Sequence, residues 1–198
     1  METIYRLLYC IVKPFFCLCH PVRSIGRENI PEGAVVLCAN HTALSDPLFI
    51  CFAARMRYQI RPMAKIELSR VPLIGWLLGK AGVIYVDRGH ADVKAVKSAL
   101  SCLKGEGKLL IFPEGTRVHE GGGRGGQGGS RLCLPPVLQV LVLPVYVTRK
   151  KPWFRPATVV FGQPFHPQIA GRKATAEELD QITHTVMDQI HALGEGLE

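Results

Sequence analysis

His41 and Asp46 stand five positions apart in the segment Asn40-His41-Thr42-Ala43-Leu44-Ser45-Asp46-Pro47. An imidazole beside a carboxylate is a proton-accepting unit: the carboxylate holds one ring nitrogen and leaves the other to take a proton from a hydroxyl. On a continuous helix the two side chains would point about 140° apart at roughly 100° per residue. They can meet only across a tight loop, such as a strand-to-helix junction provides. The pair is then the orienting half of a catalytic triad without its serine, so a hydroxyl of the substrate itself would be the attacking group. Asp46-Pro47 also reads as a helix start, with Asp capping free N–H groups and Pro at the first helical position. That simpler structural role is compatible with the chemical one.

Two further segments offer groups for an anion. Phe112-Pro113-Glu114-Gly115-Thr116-Arg117 ends an apolar run and enters a glycine-rich stretch. A Glu-Gly-Thr-Arg turn presents a cation, a hydroxyl and backbone donors together, which suits an oxyanion or a phosphate monoester; the alternative is an ordinary polar turn. Gly82-Val83-Ile84-Tyr85-Val86-Asp87-Arg88 delivers Arg88 at the end of a buried strand, where a second phosphate contact could sit. The tract 121–129, GGGRGGQGG, reads as a loop, and it lacks the Gly-Lys-Ser/Thr ending of a phosphate-cradling P-loop.

These residues need elements to hold them. Strands are expected at Ala34–Ala39, Tyr58–Ala64, Val83–Asp87, Lys108–Phe112, Val140–Thr148 and Ala157–Gly162, all apolar and rich in β-branched residues. Helices are expected at Thr3–Cys19, Pro47–Met56, Ile66–Leu78, Ala91–Lys104 and Ala176–Leu193. Thr175 and Glu178 form a capping-box pattern before the last of these. His184 and His191 on that helix read as surface residues. The alternation of strand and helix indicates a single α/β domain with a mixed, mostly parallel sheet flanked by helices.

The formal charge of +8 favours anionic partners, and the chain carries no aromatic-basic run of the kind that binds nucleic acid. The seven cysteines are an odd number and several lie in apolar runs, so they read as reduced, buried thiols of a cytosolic setting. Cys17-Leu18-Cys19-His20 lacks a second ligand pair at metal-binding spacing, and no metal site is expected. Ile4, Leu7, Leu8, Ile11, Phe15 and Leu18 fall on one face of an N-terminal amphipathic helix. That helix is shorter than the roughly 20 residues that span a bilayer, and no signal-peptide cleavage site follows it. Residues 1–24 are therefore expected to be a segment lying in the membrane interface, with Pro14 kinking or ending its helix. The other reading is a helix docked on the domain formed by residues 25–198. Val71–Leu78 is apolar enough to line an acyl channel or dip into the interface.

In order along the chain, Gly26-Arg27-Glu28-Asn29-Ile30-Pro31, Asn40-His41 through Asp46-Pro47, Gly82 through Arg88, Phe112 through Arg117, and Val142-Leu143-Pro144-Val145 resemble the glycerolipid acyltransferase family with the His-x4-Asp motif. Within it they are most similar to the 1-acylglycerol-3-phosphate (lysophosphatidate) acyltransferases. The resemblance implies His41 as general base and Asp46 as the group setting its tautomer. Backbone N–H groups would stabilise the oxyanion, and Arg88 and Arg117, with Glu114, Gly115 and Thr116 shaping the turn, would hold the acceptor phosphate. It implies no metal or bound cofactor, acyl-CoA or acyl carrier protein as co-substrate, a lysophospholipid acceptor, and a place on the cytoplasmic face of the cell membrane. The chain departs from the family pattern after Arg117, where Gln127 replaces a usual Lys and Pro135-Pro136 interrupts a usual helix. Other acceptors (glycerol 3-phosphate, another lysophospholipid or a lipid headgroup) and a noncatalytic membrane-binding module are the competing readings. Lipid binding alone would not need the intact set His41, Asp46, Glu114 and Arg117.

Overall fold

In the computed structural model, residues 2–87, 92–113, 140–168 and 174–197 are described. Helix α1 (Glu2–Cys19) leads into strand β1 (Val22–Ile25), β2 (Val35–Ala39), helix α2 (Asp46–Ala54), β3 (Ile60–Lys65), α3 (Ile74–Lys80) and β4 (Ile84–Val86). Helix α4 (Val93–Lys104), β5 (Lys108–Ile111), β6 (Leu141–Val147), β7 (Ala157–Phe161) and α5 (Ala176–Gly194) complete the described elements. The strands form one seven-stranded sheet in the order β1-β7-β6-β2-β5-β3-β4. Only β6 and β7 pair antiparallel; the other five pairings are parallel. This is the mixed, mostly parallel α/β architecture expected from the alternating pattern.

The central strand β2 is buried on both faces, as a parallel strand between helical layers must be. Its alternate residues feed two cores. Val35, Leu37 and Ala39 meet Phe49, Ile50, Ala53 and Ala54 of α2, while Val36 and Cys38 join the core shared with α4 and α5. Thr175 and Glu178 form the anticipated capping box of α5, and His184 and His191 are exposed on that helix.

Several details differ from the sequence expectations. The helix expected over Ile66–Leu78 is a 3-10 turn at Ile66–Arg70 followed by α3, with Val71 extended between them. Pro72 disfavours helical geometry at the residue before it, so the apolar run breaks there. Gly75 then lets α3 lie against that turn, because a Cβ at this position would strike the Ser69 carbonyl. Helix α1 continues through Pro14 to Cys19 rather than ending. Strand β1 has no counterpart among the expected elements; it is four residues long, half exposed, and recruited by pairing with β7. Of the six cysteines among the described residues all are free, but only Cys38 and Cys102 are buried and Cys10 is exposed.

Candidate active site

The site forms at the carboxyl ends of β2, β5 and β6, the place where open parallel sheets leave a crevice for ligands. β2 ends at Ala39, and the next residue, Asn40, is buried. Its side-chain amide donates to the Val147 carbonyl and its side-chain oxygen accepts the Val147 N–H, both at 2.8 Å. The loop that carries His41 is thereby pinned to the end of the neighbouring strand β6.

Asp46 opens α2 but does not cap it. Ser45 occupies the capping position, and the Asp46 side chain turns back over the loop, as side chains in a first helical turn do. Its Oδ2 accepts the N–H groups of Thr42 and Ala43, each at 2.7 Å, and lies 3.0 Å from His41 Nδ1. The loop from Asn40 to Ser45 closes around this one oxygen, which brings His41 and Asp46 together across the junction. The other oxygen, Oδ1, pairs with Lys151 Nζ at 2.9 Å. Lys151 Nζ also donates to Thr42 Oγ1 at 2.9 Å. Asp46 is fully buried, and the Lys151 side chain is nearly so. Burial by itself would raise the Asp46 carboxyl pKa. The bond to His41, the Lys151 charge and the Ala43 N–H outweigh it and hold the group below the usual carboxylate range.

The carboxylate selects the tautomer of His41 with its proton on Nδ1, which places the proton-accepting lone pair on Nε2. The ring stacks on Phe112, the first residue after β5, with centroids 4.1 Å apart and planes 25° from parallel. Both rings line a cavity of about 670 Å³. Leu8 and Val12 of α1, Leu48 and Phe52 of α2, and Leu77 and Leu78 of α3 supply apolar walls. Ile74, Leu77 and Leu78 put the run 71–78 in the cavity lining, whereas Leu73 and Trp76 of that run are exposed. The arrangement joins a proton acceptor with a fixed orientation to an apolar chamber large enough for a small-molecule ligand.

Arg88, Glu114, Gly115, Thr116 and Arg117 lie outside the described residues, as do the tract 121–129, Gln127 and Pro135-Pro136. Two residues that support the pair carry no distinct signal in the sequence. Asn40 stands there only as motif context, and it acts by tying the loop to Val147. Lys151 follows the expected strand Val140–Thr148 as one of two adjacent lysines. The sign that could have found it is the parallel neighbour relation of β2 and β6, which places whatever follows β6 beside whatever follows β2.

A family model described as Acyltransferase matches residues 21–148. The 1-acyl-sn-glycerol-3-phosphate acyltransferase of Borreliella burgdorferi is 32% identical over 180 residues, covering 83% of this chain and 68% of that protein. The Pseudomonas aeruginosa protein of the same name is 33% identical over 162 residues, covering 77% and 62%. A lyso-ornithine lipid O-acyltransferase of Pseudomonas aeruginosa is 33% identical over 111 residues, covering 56% and 39%. The chain thus spans about two thirds of the length of the first two relatives. The crystal structure of the 1-acyl-sn-glycerophosphate acyltransferase from Thermotoga maritima superposes with a TM-score of 0.58 at 22% identity, covering 94% of this chain and 77% of that one, and shares the fold. Matched by that family model from the start of β1 to the end of β6, and similar over most of its length to curated 1-acyl-sn-glycerol-3-phosphate acyltransferases, this chain belongs to the acyltransferase family.

Proposed function

We propose that the chain transfers a fatty acyl group from acyl-CoA or acyl carrier protein to the free hydroxyl of 1-acylglycerol 3-phosphate, making phosphatidate for phospholipid synthesis. His41 Nε2 takes the hydroxyl proton as the oxygen attacks the thioester carbonyl. Collapse of the tetrahedral adduct breaks the C–S bond, and the imidazolium returns the proton to the departing thiolate. Asp46 holds the ring in the required tautomer and stabilises the imidazolium between the two proton transfers. Arg88 and Arg117, with the turn Glu114-Gly115-Thr116, position the acceptor phosphate. The reaction uses no resident metal or cofactor. One observation carries this reading: the His41–Asp46 contact of 3.0 Å sits on a ring that lines a large apolar cavity.

We further assign residues 1–24 to membrane association and residues 25–198 to the acyltransferase domain, working on the cytoplasmic face of an anionic membrane. Helix α1 supports this. Ile4, Leu7, Ile11, Phe15 and Leu18 form an exposed apolar stripe on it. Among the described residues no helix is long and apolar enough to cross a membrane. The similarity to a lyso-ornithine lipid O-acyltransferase favours a second reading, in which the same chemistry serves a different lysolipid.

The deciding assay incubates the purified chain with acyl-CoA or acyl carrier protein and a panel of lysolipids, and identifies products by mass. The expected product is phosphatidate, and His41→Ala is expected to lower kcat by about a hundredfold or more while the fold survives. Acylation of lyso-ornithine lipid alone would move the assignment to the second reading. Wild-type turnover in His41→Ala would remove the proposed base.

A further inference from the structure

The loop joining β6 to β7 reads Arg149-Lys150-Lys151-Pro152-Trp153-Phe154-Arg155. Trp153 and Phe154 are 66% and 69% exposed, although each is large enough to anchor a core. Phe154 adopts φ 60°, a left-handed conformation that bulky residues avoid. Its N–H donates to the Cys19 carbonyl at the end of α1, at 2.7 Å, which holds it there. Trp153 lies beside the same helix end, its ring 4.8 Å from that of His20. Close by in the sequence of α1, Phe15 and Leu18 are 74% and 72% exposed. Two adjacent aromatic side chains thus stay outside the core, one of them on a strained backbone, next to an exposed apolar helix end.

Charge identifies what would cover them. Within 149–157 the only ionisable side chains are Arg149, Lys150, Lys151 and Arg155, and between Thr3 and Arg27 they include four cations and no carboxylate. Arg149, Lys150 and Arg155 are exposed. Tryptophan and phenylalanine among cations is the composition of a segment that sits at a membrane–water boundary, the rings among acyl chains and the cations at anionic headgroups.

We propose that Trp153 and Phe154 insert into the interface of an anionic phospholipid bilayer and form, with the C-terminal end of α1, a second anchoring point for the enzyme. This rests on the membrane reading above and adds to it a site on the acyltransferase domain itself. It also ties attachment to the active site through one short loop. Lys151, two residues before Trp153, is the cation paired with Asp46.

The test uses the full chain carrying Trp76→Phe, which leaves Trp153 as the single tryptophan. It is mixed with vesicles of equal parts phosphatidylcholine and phosphatidylglycerol, with and without brominated acyl chains. The expected result is a blue shift of Trp153 emission on binding and quenching by bromine placed near the headgroup. In flotation, Trp153→Ser combined with Phe154→Ser is expected to lower partitioning by about tenfold or more relative to the parent, with an unchanged melting temperature. If the parent floats with vesicles while Trp153 emission stays unshifted and the double variant floats equally, the loop is no anchor, and attachment through α1 stands alone. If the parent does not float at all, the membrane reading falls and this proposal with it. An emission shift that follows protein concentration without lipid would assign the surface to a second copy of the chain and overturn the bilayer.

Discussion

Asp46 is surrounded by donors on every side: two backbone N–H groups and the imidazole at one oxygen, an ammonium at the other. A buried carboxylate is tolerated only when so matched, since desolvation alone would drive it to the neutral form. The neutral acid would lose the pairing that orients His41. Lys151 is therefore as much a part of the unit as the two motif residues. Lys151→Met leaves the carboxylate buried without its cation, and removal of one partner of a buried pair is expected to cost about 3 kcal/mol in urea unfolding near neutral pH. A distinctive pH signature accompanies the loss. The Asp46 carboxyl is held below its ordinary value in the folded chain, so its ionisation stabilises the fold above about pH 4, the unfolded value. That contribution disappears as pH falls through the lowered folded value. Without Lys151 one of the influences holding the group down is gone, so the acid-side loss of stability is expected to begin at a higher pH in the variant. Urea midpoints measured across acidic pH would reveal it; equal midpoints at neutral pH and parallel acid curves would deny Lys151 this role.

Helix α1 shows what a periodic pattern can and cannot say. The 3.6-residue spacing of its aliphatic residues was readable, and so was the existence of the helix. The direction of each face was not, because α1 has two apolar faces. Tyr9 and Phe16 turn inward, with ring centroids 5.3 Å from Phe52 in each case and Phe16 4.9 Å from Phe49. Ile4, Leu7, Ile11, Phe15 and Leu18 turn outward, so the helix both docks and presents an apolar stripe. β1 was invisible for the opposite reason: Val22-Arg23-Ser24-Ile25 is too short and polar to declare itself and is a strand only because β7 offers it an edge. At the site, the His41–Asp46 pairing was legible because a contiguous motif carries it. Lys151, 109 positions beyond Thr42, reaches it only through the tertiary pairing of β2 with β6. The two faces of α1 should separate experimentally. Phe16→Ala is expected to lower stability by about 2 kcal/mol, less than for a fully buried aromatic because the ring is half-buried, with vesicle binding preserved below the melting transition. Phe15→Ser with Leu18→Ser is expected to change stability by about 0.5 kcal/mol or less and to weaken flotation with vesicles. A swap of these outcomes would mean that the helix docks through its aliphatic face.

At the scale of the molecule, the parallel strands place the carboxyl ends of β2, β5 and β6 together, and the loops after these ends do different work. The loop after β2 holds the His41–Asp46 pair, the first residue after β5 stacks on His41, and the loop after β6 supplies Lys151 and then the exposed pair Trp153-Phe154. The proposed reaction on a lipid requires a proton acceptor near a surface with its supporting carboxylate kept dry; a single sheet end with both a buried ion pair and exposed apolar groups meets both requirements. On the proposed membrane reading, two kinds of attraction act on a bilayer. Apolar contacts of α1 and the β6–β7 loop are insensitive to screening, whereas the attraction of a +8 chain for anionic headgroups falls away once the screening length drops from about 10 Å at 0.1 M salt to about 3 Å at 1 M. Flotation with phosphatidylglycerol-containing vesicles is therefore expected to weaken severalfold between these salt concentrations. Binding to pure phosphatidylcholine, weaker at the outset, should hold steady or rise, because salt does not diminish apolar burial. If both vesicle types respond alike, the cations of 149–155 and α1 contribute no headgroup attraction, and the membrane is held by apolar surface alone.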